Sequence, residues 1–94
     1  MISFETAQRR SETLKALGHP VRLRIVSLLN EDEMCVGDIA QHLEVGSAIV
    51  SQQLKILRLS GLVKSDRRNG HSYYSLAIDE LSTLLTCLQN CDHH

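Results

Sequence analysis

Residues 36–60 read VGDIAQHLEVGSAIVSQQLKILRLS, and this stretch decides the fold. Apolar residues recur at helical spacing over 36–43, which predicts a short helix there. Residues 44–46 then interrupt the pattern. Ser47 is a good N-cap for a second helix that runs to Ser60. Two short helices joined by such a break are typical of a helix–turn–helix.

A β-hairpin is predicted directly after this pair of helices. Residues 62–68 and 71–76 flank the dipeptide Asn69-Gly70. Asn-Gly is the strongest short signal for a hairpin, because a type I′ turn needs positive φ at both central residues. A helix–turn–helix followed by a hairpin is a winged helix, with the hairpin as its wing.

Three further helices complete the predicted architecture. The first covers residues 3–17 and ends at Gly18, the second begins at Pro20, and the last runs from Ile78 to about Cys91. The predicted fold is mainly α with a small β-hairpin (α+β), in the order helix, helix, helix–turn–helix, hairpin, helix. Residues 1–94 form a single domain in this prediction.

Composition narrows the class of protein. The chain has 94 residues, of which 43% are hydrophobic, so a globular core is expected. No apolar run is long enough to span a membrane, and residues 1–10 lack the apolar core of a signal peptide. We therefore expect a cytoplasmic protein. Its 3 cysteines, an odd number, do not suggest a disulfide framework.

The charge distribution is more informative than the net charge of −1. Residues 31–44 carry only acidic charges, whereas residues 47–72 are predominantly basic. Nucleic-acid binding depends on the local charge of one face more than on the sum. The second stretch has one acidic side chain, Asp66, and five basic ones: Lys55, Arg58, Lys64, Arg67 and Arg68.

The polar side chains of the second helix suit the major groove of double-stranded DNA. Hydroxyls and amides at its beginning can reach base edges, its N-terminus favours a phosphate, and the wing can reach neighbouring phosphates. The predicted DNA-binding residues are Ser47, Ala48, Ser51, Gln52, Gln53, Lys55, Arg67, Arg68 and His71.

Two other functions compete with DNA binding. A winged helix can serve protein contacts, with these polar residues merely solvated, and Gln53 lies close enough to the apolar stripe to serve packing or hydrogen bonding. An enzyme is disfavoured, because the sequence contains no glycine-rich phosphate loop and no visible set of nucleophile and base.

Four motifs in order resemble the ArsR/SmtB family of small winged-helix repressors. They are LKALGHPVRL at 14–23, CVGDIA at 35–40, VSQQLK at 50–55 and GHSYYSL at 70–76. The resemblance implies a homodimer formed through the first and last helices, and repression of transcription from a palindromic operator. It also implies release from DNA when an inducer binds.

The inducer sites of the family are incomplete in this sequence. Some members hold zinc between their final helices, and the resemblance puts those four positions at Ile78, Glu80, Cys91 and His94; Ile78 cannot bind a metal. Other members bind arsenic or soft metals through Cys-Val-Cys at the start of the third helix. Here that segment reads Cys35-Val36-Gly37, without the second thiol.

Helical geometry offers a third arrangement in the last helix. Glu80, Cys87, Cys91 and His94 fall within a stripe of roughly 60°. Cys87, Cys91 and His94 are a candidate metal site for zinc, cadmium or arsenite as inducer, and no other cofactor is indicated. The thiols of Cys35, Cys87 and Cys91 are also candidates for a redox or persulfide switch. Alternatively, Cys87 only fills a dimer interface, and the terminal His-His pair is also typical of an expression tag.

Overall fold

The computed structural model describes residues 1–91 and confirms the winged helix. Within these residues the protein has five helices and a small antiparallel sheet of three strands. In chain order the elements are α1 (Phe4–Leu17), α2 (Pro20–Leu29), β1 (Met34–Cys35), α3 (Val36–Leu43), α4 (Ser47–Leu59), β2 (Val63–Arg68), β3 (His71–Leu76) and α5 (Glu80–Asn90).

The wing has the turn that its sequence predicts. Asn69 has φ of 53° and Gly70 has φ of 80°, so both central residues of the turn are left-handed. Arg68 is paired with His71 across the turn, and the register continues to Val63 opposite Leu76. The two-residue loop fixes this register, and with it the face on which each wing side chain lies.

A third strand, β1, extends the wing and was not predicted. Met34 pairs with Tyr74 and Cys35 pairs with Tyr73, so the strand order is β1-β3-β2. A strand of two residues is too short to show alternation, so its sequence carries no strand signal. Because β1 leads directly into α3, it joins the wing to the helix–turn–helix.

Helix boundaries differ from the prediction by one or two residues, most clearly at the beginnings of α4 and α5. The N-cap of α4 is Gly46, and Ser47 is already its first helical residue without a side-chain cap. The last helix begins at Glu80 after the N-cap Asp79, not at Ile78, which lies outside it. Both differences concern helix ends, where capping geometry and tertiary packing decide the boundary by one or two residues.

The core holds α4 against the rest of the domain. Three side chains of α4, Val50, Leu54 and Leu57, are completely buried. They pack with apolar side chains of α2 and α3 and with two leucines of α5, namely Ile25, Val26, Leu29, Ile39, Leu43, Leu81 and Leu85. Burying one face of α4 leaves the opposite face to solvent.

Within the described residues, none of the helices combines the length and apolar character needed to cross a membrane.

Candidate nucleic-acid interface

The outer face of α4 presents short polar and basic side chains. Because Val50, Leu54 and Leu57 point into the core, residues about half a turn away on the helix face outward. Five predicted DNA-binding residues of α4 are exposed: Ala48, Gln52 and Lys55 lie on this outer face, and Ser47 and Ser51 lie at its edge near the beginning of the helix. These side chains can reach a ligand without any rearrangement of the core.

The beginning of α4 is open to an anion. Its N-cap is Gly46, which has no side chain to bond the N–H groups of the first turn. The nearby Ser47 and Ser51 hydroxyls can each donate or accept a hydrogen bond. A DNA phosphate is one anion that suits such a helix N-terminus.

Gln53 differs from the other predicted residues of α4. It is half-buried, and its Oε1 accepts a hydrogen bond from a terminal guanidinium nitrogen of Arg22, at 2.9 Å. Arg22 lies on α2 and also donates from Nε to the carbonyl of Ala16 in the last turn of α1. The Gln53 side chain is therefore held by the domain, whereas Gln52 beside it is exposed.

Ile49 is an exposed apolar residue of α4 that is not among the predicted DNA-binding residues. Its side chain is 47% exposed, close to the beginning of the helix. Its position about 100° away from Val50 on a helical projection was a signal that could have indicated this exposure. An exposed apolar group at this point suits contact with a thymine methyl group.

The wing brings its basic side chains to the turn, but they are not equivalent. Arg68 donates to Oε1 of Glu33 at 2.6 Å and lies 3.2 Å from a carboxylate oxygen of Asp66. Its guanidinium carbon is also 4.5 Å from the centre of the Tyr73 ring. Arg67 forms no ion pair among residues 1–91.

The contacts of Arg68 have an electrostatic consequence. The hydrogen bond with Glu33, and secondarily the charges of Glu33 and Asp66, raise the pKa of Arg68. Arg68 therefore stays charged at any working pH, but two carboxylates already offset its charge. Within the described range, Arg67 and the exposed His71 are wing-tip residues that form no ion pair with a carboxylate.

The cysteines lie in two places. Cys35 is half-buried in β1 beside Tyr73, whereas Cys87 and Cys91 are exposed at the end of α5. His94, the third member of the predicted metal site, lies outside the described residues. Residues 1–91 contain no group of three potential metal ligands. The metal set of Cys87, Cys91 and His94 therefore stays a prediction.

A cleft of about 590 Å³ separates α5 from α2. Leu23 and Leu28 line it from α2, and Leu85 and Leu88 from α5. None of the predicted DNA-binding residues lies among its walls.

Comparison with known proteins gives the chain its family. The model described as "Bacterial regulatory protein, arsR family" matches residues 19–65. This match includes the helix–turn–helix and the beginning of the wing. The chain belongs to the ArsR family. The resemblance seen in its sequence motifs is thus confirmed.

One sequence relative of this ArsR-family chain is a "Transcriptional repressor SmtB homolog" of Synechocystis sp.. The two are 42% identical over 84 residues, which are 89% of this chain and 64% of that relative. This chain therefore matches less than two thirds of the relative's length.

Solved structures confirm the winged-helix fold. The transcriptional repressor BigR from Xylella fastidiosa superposes with a TM-score of 0.89 at 34% identity, covering 96% of this chain and 92% of BigR. A homodimeric winged helix–turn–helix DNA-binding domain from Mycobacterium bovis, described as a possible ArsR-family transcriptional regulator, gives a TM-score of 0.81 at 27% identity. That match covers 99% of this ArsR-family chain and 96% of the Mycobacterium domain.

Proposed function

We propose that this chain is a transcriptional repressor that binds double-stranded operator DNA through α4 and the wing. The observation that carries the proposal is the exposed polar face of α4, with Ser47, Ser51 and Gln52 above a fully buried apolar stripe. Membership of the ArsR family supports the same function. A protein that acts on chromosomal DNA would work in the cytoplasm.

The roles within this interface follow from side-chain chemistry. Ser47, Ala48, Ser51 and Gln52 would meet base edges in the major groove, and Lys55 would approach a phosphate. In the wing, Arg67 and His71 would contact the neighbouring backbone. Arg68 would contribute less, because Glu33 and Asp66 already offset its charge.

Titration of labelled duplexes tests this proposal. The protein is titrated onto the promoter DNA of its own gene and onto a shuffled duplex, at several salt concentrations. We expect tighter binding to the promoter, and an affinity that falls steeply with salt because phosphate contacts release counterions. The variant Arg67→Ala/Arg68→Ala should weaken binding to both duplexes.

A matched control removes the same two charges elsewhere. Arg9→Ala/Arg10→Ala acts on exposed positions of α1 and, in protein that sediments like the parent, should weaken binding much less than the wing variant. Binding that ignores both salt and sequence would contradict the proposal. It would favour a winged-helix module that serves protein contacts instead.

We also propose that the repressor acts as a homodimer through α1 and α5. Large apolar side chains of these helices stay exposed in the single chain: Phe4 at 81%, Leu14 at 57% and Leu88 at 45%. The Mycobacterium relative is homodimeric. A two-fold dimer would place two α4 helices on a palindromic operator. Sedimentation should show a dimer that Leu14→Glu and Leu88→Glu dissociate, whereas a monomeric parent protein would refute this arrangement.

For the inducer, we propose that the thiols at the end of α5 respond to a soft metal ion or to reactive sulfur. Cys87 and Cys91 are exposed and lie one helical turn apart, where two thiolates can share one ion. Release of DNA is measured against zinc, cadmium, arsenite and a persulfide donor, with Cys35, Cys87 and Cys91 changed singly to Ser. If all three variants respond like the parent, the thiol proposal fails.

A further inference from the structure

Gln53 and Arg22 form a contact that joins α4 to the first two helices. The Oε1 atom of Gln53 accepts from the Arg22 guanidinium at 2.9 Å, and Arg22 Nε donates to the carbonyl of Ala16. Arginine has only donors, so the atom of Gln53 that faces it must be the oxygen. This chemistry fixes which way the side-chain amide of Gln53 is turned.

The nitrogen of the same amide is left available. Nε2 of Gln53 has no hydrogen-bond partner within residues 1–91. No buried side-chain nitrogen or oxygen in that range lacks a partner. The Nε2 group is therefore open to solvent and offers donors only, while the oxygen is engaged by a cation.

This orientation makes a base contact more demanding than a phosphate contact, because Arg22 already takes one of the two lone pairs of the amide oxygen. A glutamine that recognises adenine uses both amide atoms, the oxygen accepting from the adenine amino group and the nitrogen donating to N7. At Gln53 the adenine amino group, itself a donor, would have to share the oxygen with the Arg22 guanidinium. A phosphate oxygen needs only a hydrogen-bond donor, so it can bind the Nε2 group of Gln53 without using the amide oxygen.

The position of Gln53 on the helix favours a phosphate as well. Gln53 lies roughly 40° from the buried Leu57 on a helical projection, at the flank of α4, whereas Gln52 lies roughly 160° from Leu54 on the outer face. When a helix enters the major groove, its outer face meets the base edges and its flanks meet the sugar-phosphate walls. The cationic Arg22 beside Gln53 adds attraction for an anion at that flank.

We propose that Gln53 donates from its side-chain amide to a backbone phosphate, in an orientation set by Arg22, and reads no base. Arg22 is then a positioning residue, which couples the end of α1 to the DNA-binding helix. The inference rests on the proposed DNA-binding function, and it predicts opposite behaviour for the neighbouring Gln52 and Gln53.

The test measures affinity for DNA of known preference. A duplex selected by the parent protein from a randomised pool serves as probe, together with all its single base-pair variants and a shuffled duplex. Gln53→Ala should weaken binding by about tenfold on every duplex, the shuffled one included, because one hydrogen bond to a charged group is lost everywhere. Gln52→Ala, the matched control, should instead flatten the preference at one base pair.

Two outcomes would overturn the assignment of Gln53. One is a Gln53→Ala variant that loses preference at a single A·T pair and keeps the parent's affinity for the shuffled duplex. The other is a Gln53→Glu variant that binds as well as the parent. Gln53→Glu keeps an acceptor for Arg22 and hence the fold, but it replaces the donors with a negative charge that a phosphate repels.

The role of Arg22 is tested by a double-mutant cycle on DNA affinity. Arg22→Lys keeps the charge but loses the two-pronged donation, so it should produce the same uniform loss as Gln53→Ala, and the double variant should lose little more. Strictly additive losses would refute the coupling. If Arg22→Lys lowers the melting temperature, the test of the Arg22–Gln53 contact passes to Gln53→Glu. That variant must keep the parent's melting temperature if Arg22 faces residue 53.

The outcomes also separate this inference from the proposed function. If the parent protein selects no duplex and its binding ignores salt, the DNA-binding function itself fails. If the parent binds as expected and only Gln53→Ala behaves as a base reader, the function stands and this inference alone is wrong.

Discussion

The recognition helix α4 and the wing face the same proposed ligand with different chemistry. The exposed face of α4 begins with neutral groups, the hydroxyls of Ser47 and Ser51 and the amide of Gln52. The wing tip carries the charges of Arg67 and Arg68. The neutral groups of α4 are suited to distinguishing bases, whereas the charges of the wing would attract any backbone phosphate within their reach. Sequence preference and overall affinity should therefore be separable by mutation.

The two regions also differ in how they are held. Helix α4 is held by a continuous stripe of buried apolar side chains, which keeps its polar residues on the solvent side. This stripe follows from the local periodicity of the sequence. The wing is held by its turn, by the pairing of β3 with β1 and by the buried Val63, and the exposed Arg68–Glu33 pair joins positions 35 residues apart. Mutations in the two regions should therefore change different properties of the protein.

The largest expected effect is the loss of the stripe that supports α4. Leu54 is completely buried, so Leu54→Ala should lower the free energy of unfolding by about 2–5 kcal/mol. Urea denaturation measures the change. Leu59→Ala, at a position that is 73% exposed on the same helix, should stay within about 0.5 kcal/mol of the parent. Equal stability of the two variants would show that Leu54 does not hold α4.

A smaller effect should appear in sequence preference without any change in stability. Gln52 is exposed, and its side chain makes no hydrogen bond within the described part of the chain. Gln52→Ala should cost about 1–3 kcal/mol of discrimination at one base pair, since one base contact is lost. Competition between duplexes measures it. An equal loss of affinity for all duplexes would show that Gln52, like the wing, contributes to affinity and not to sequence preference.

A third effect should be confined to the wing. Gly70 has φ of 80°, and a Cβ there would meet nothing within 4 Å, so Gly70→Ala costs only the left-handed strain of about 1–2 kcal/mol. Hydrogen exchange should speed up in β2 and β3 and not in α4. Gly37→Ala, in helix α3 with a Cβ equally free of contacts, should stabilise the chain by about 0.5–1 kcal/mol instead. If α4 exchanged faster in Gly70→Ala, the two regions would not be independent.

The smallest effect should distinguish the two arginines of the wing. Arg67→Ala should reduce the salt slope of DNA binding by about 0.9, the value for one phosphate contact. Arg68→Ala should reduce it less, because Glu33 and Asp66 offset that charge. Glu33→Gln should strengthen binding a few-fold by releasing Arg68. Identical slopes for the two arginine variants would show that the ion pair does not persist in the complex.

The sequence predicted those parts of the molecule that depend on near neighbours. Val36–Leu43 and the hairpin strands were found because periodicity and Asn69-Gly70 are local signals. Strand β1 was missed, since two residues show no period, and the start of α5 was placed two residues early. For the candidate site, helical spacing indicated the exposed side chains of α4. The contacts of Arg68 with Glu33 and of Arg22 with Gln53 join residues 35 and 31 apart, which no local pattern reveals.

Among residues 1–91 the strand order β1-β3-β2 leaves β2 at one edge of the sheet, with backbone groups along its outer side that pair with no strand of that range. An open edge invites a strand of another molecule, and charged side chains discourage such pairing. Lys64, Asp66, Arg67 and Arg68 all lie on β2. The charges proposed to attract DNA would then also keep the protein from aggregating. Arg67→Glu is therefore a useful companion to Arg67→Ala, because it removes the positive charge and still leaves a charged side chain on this edge.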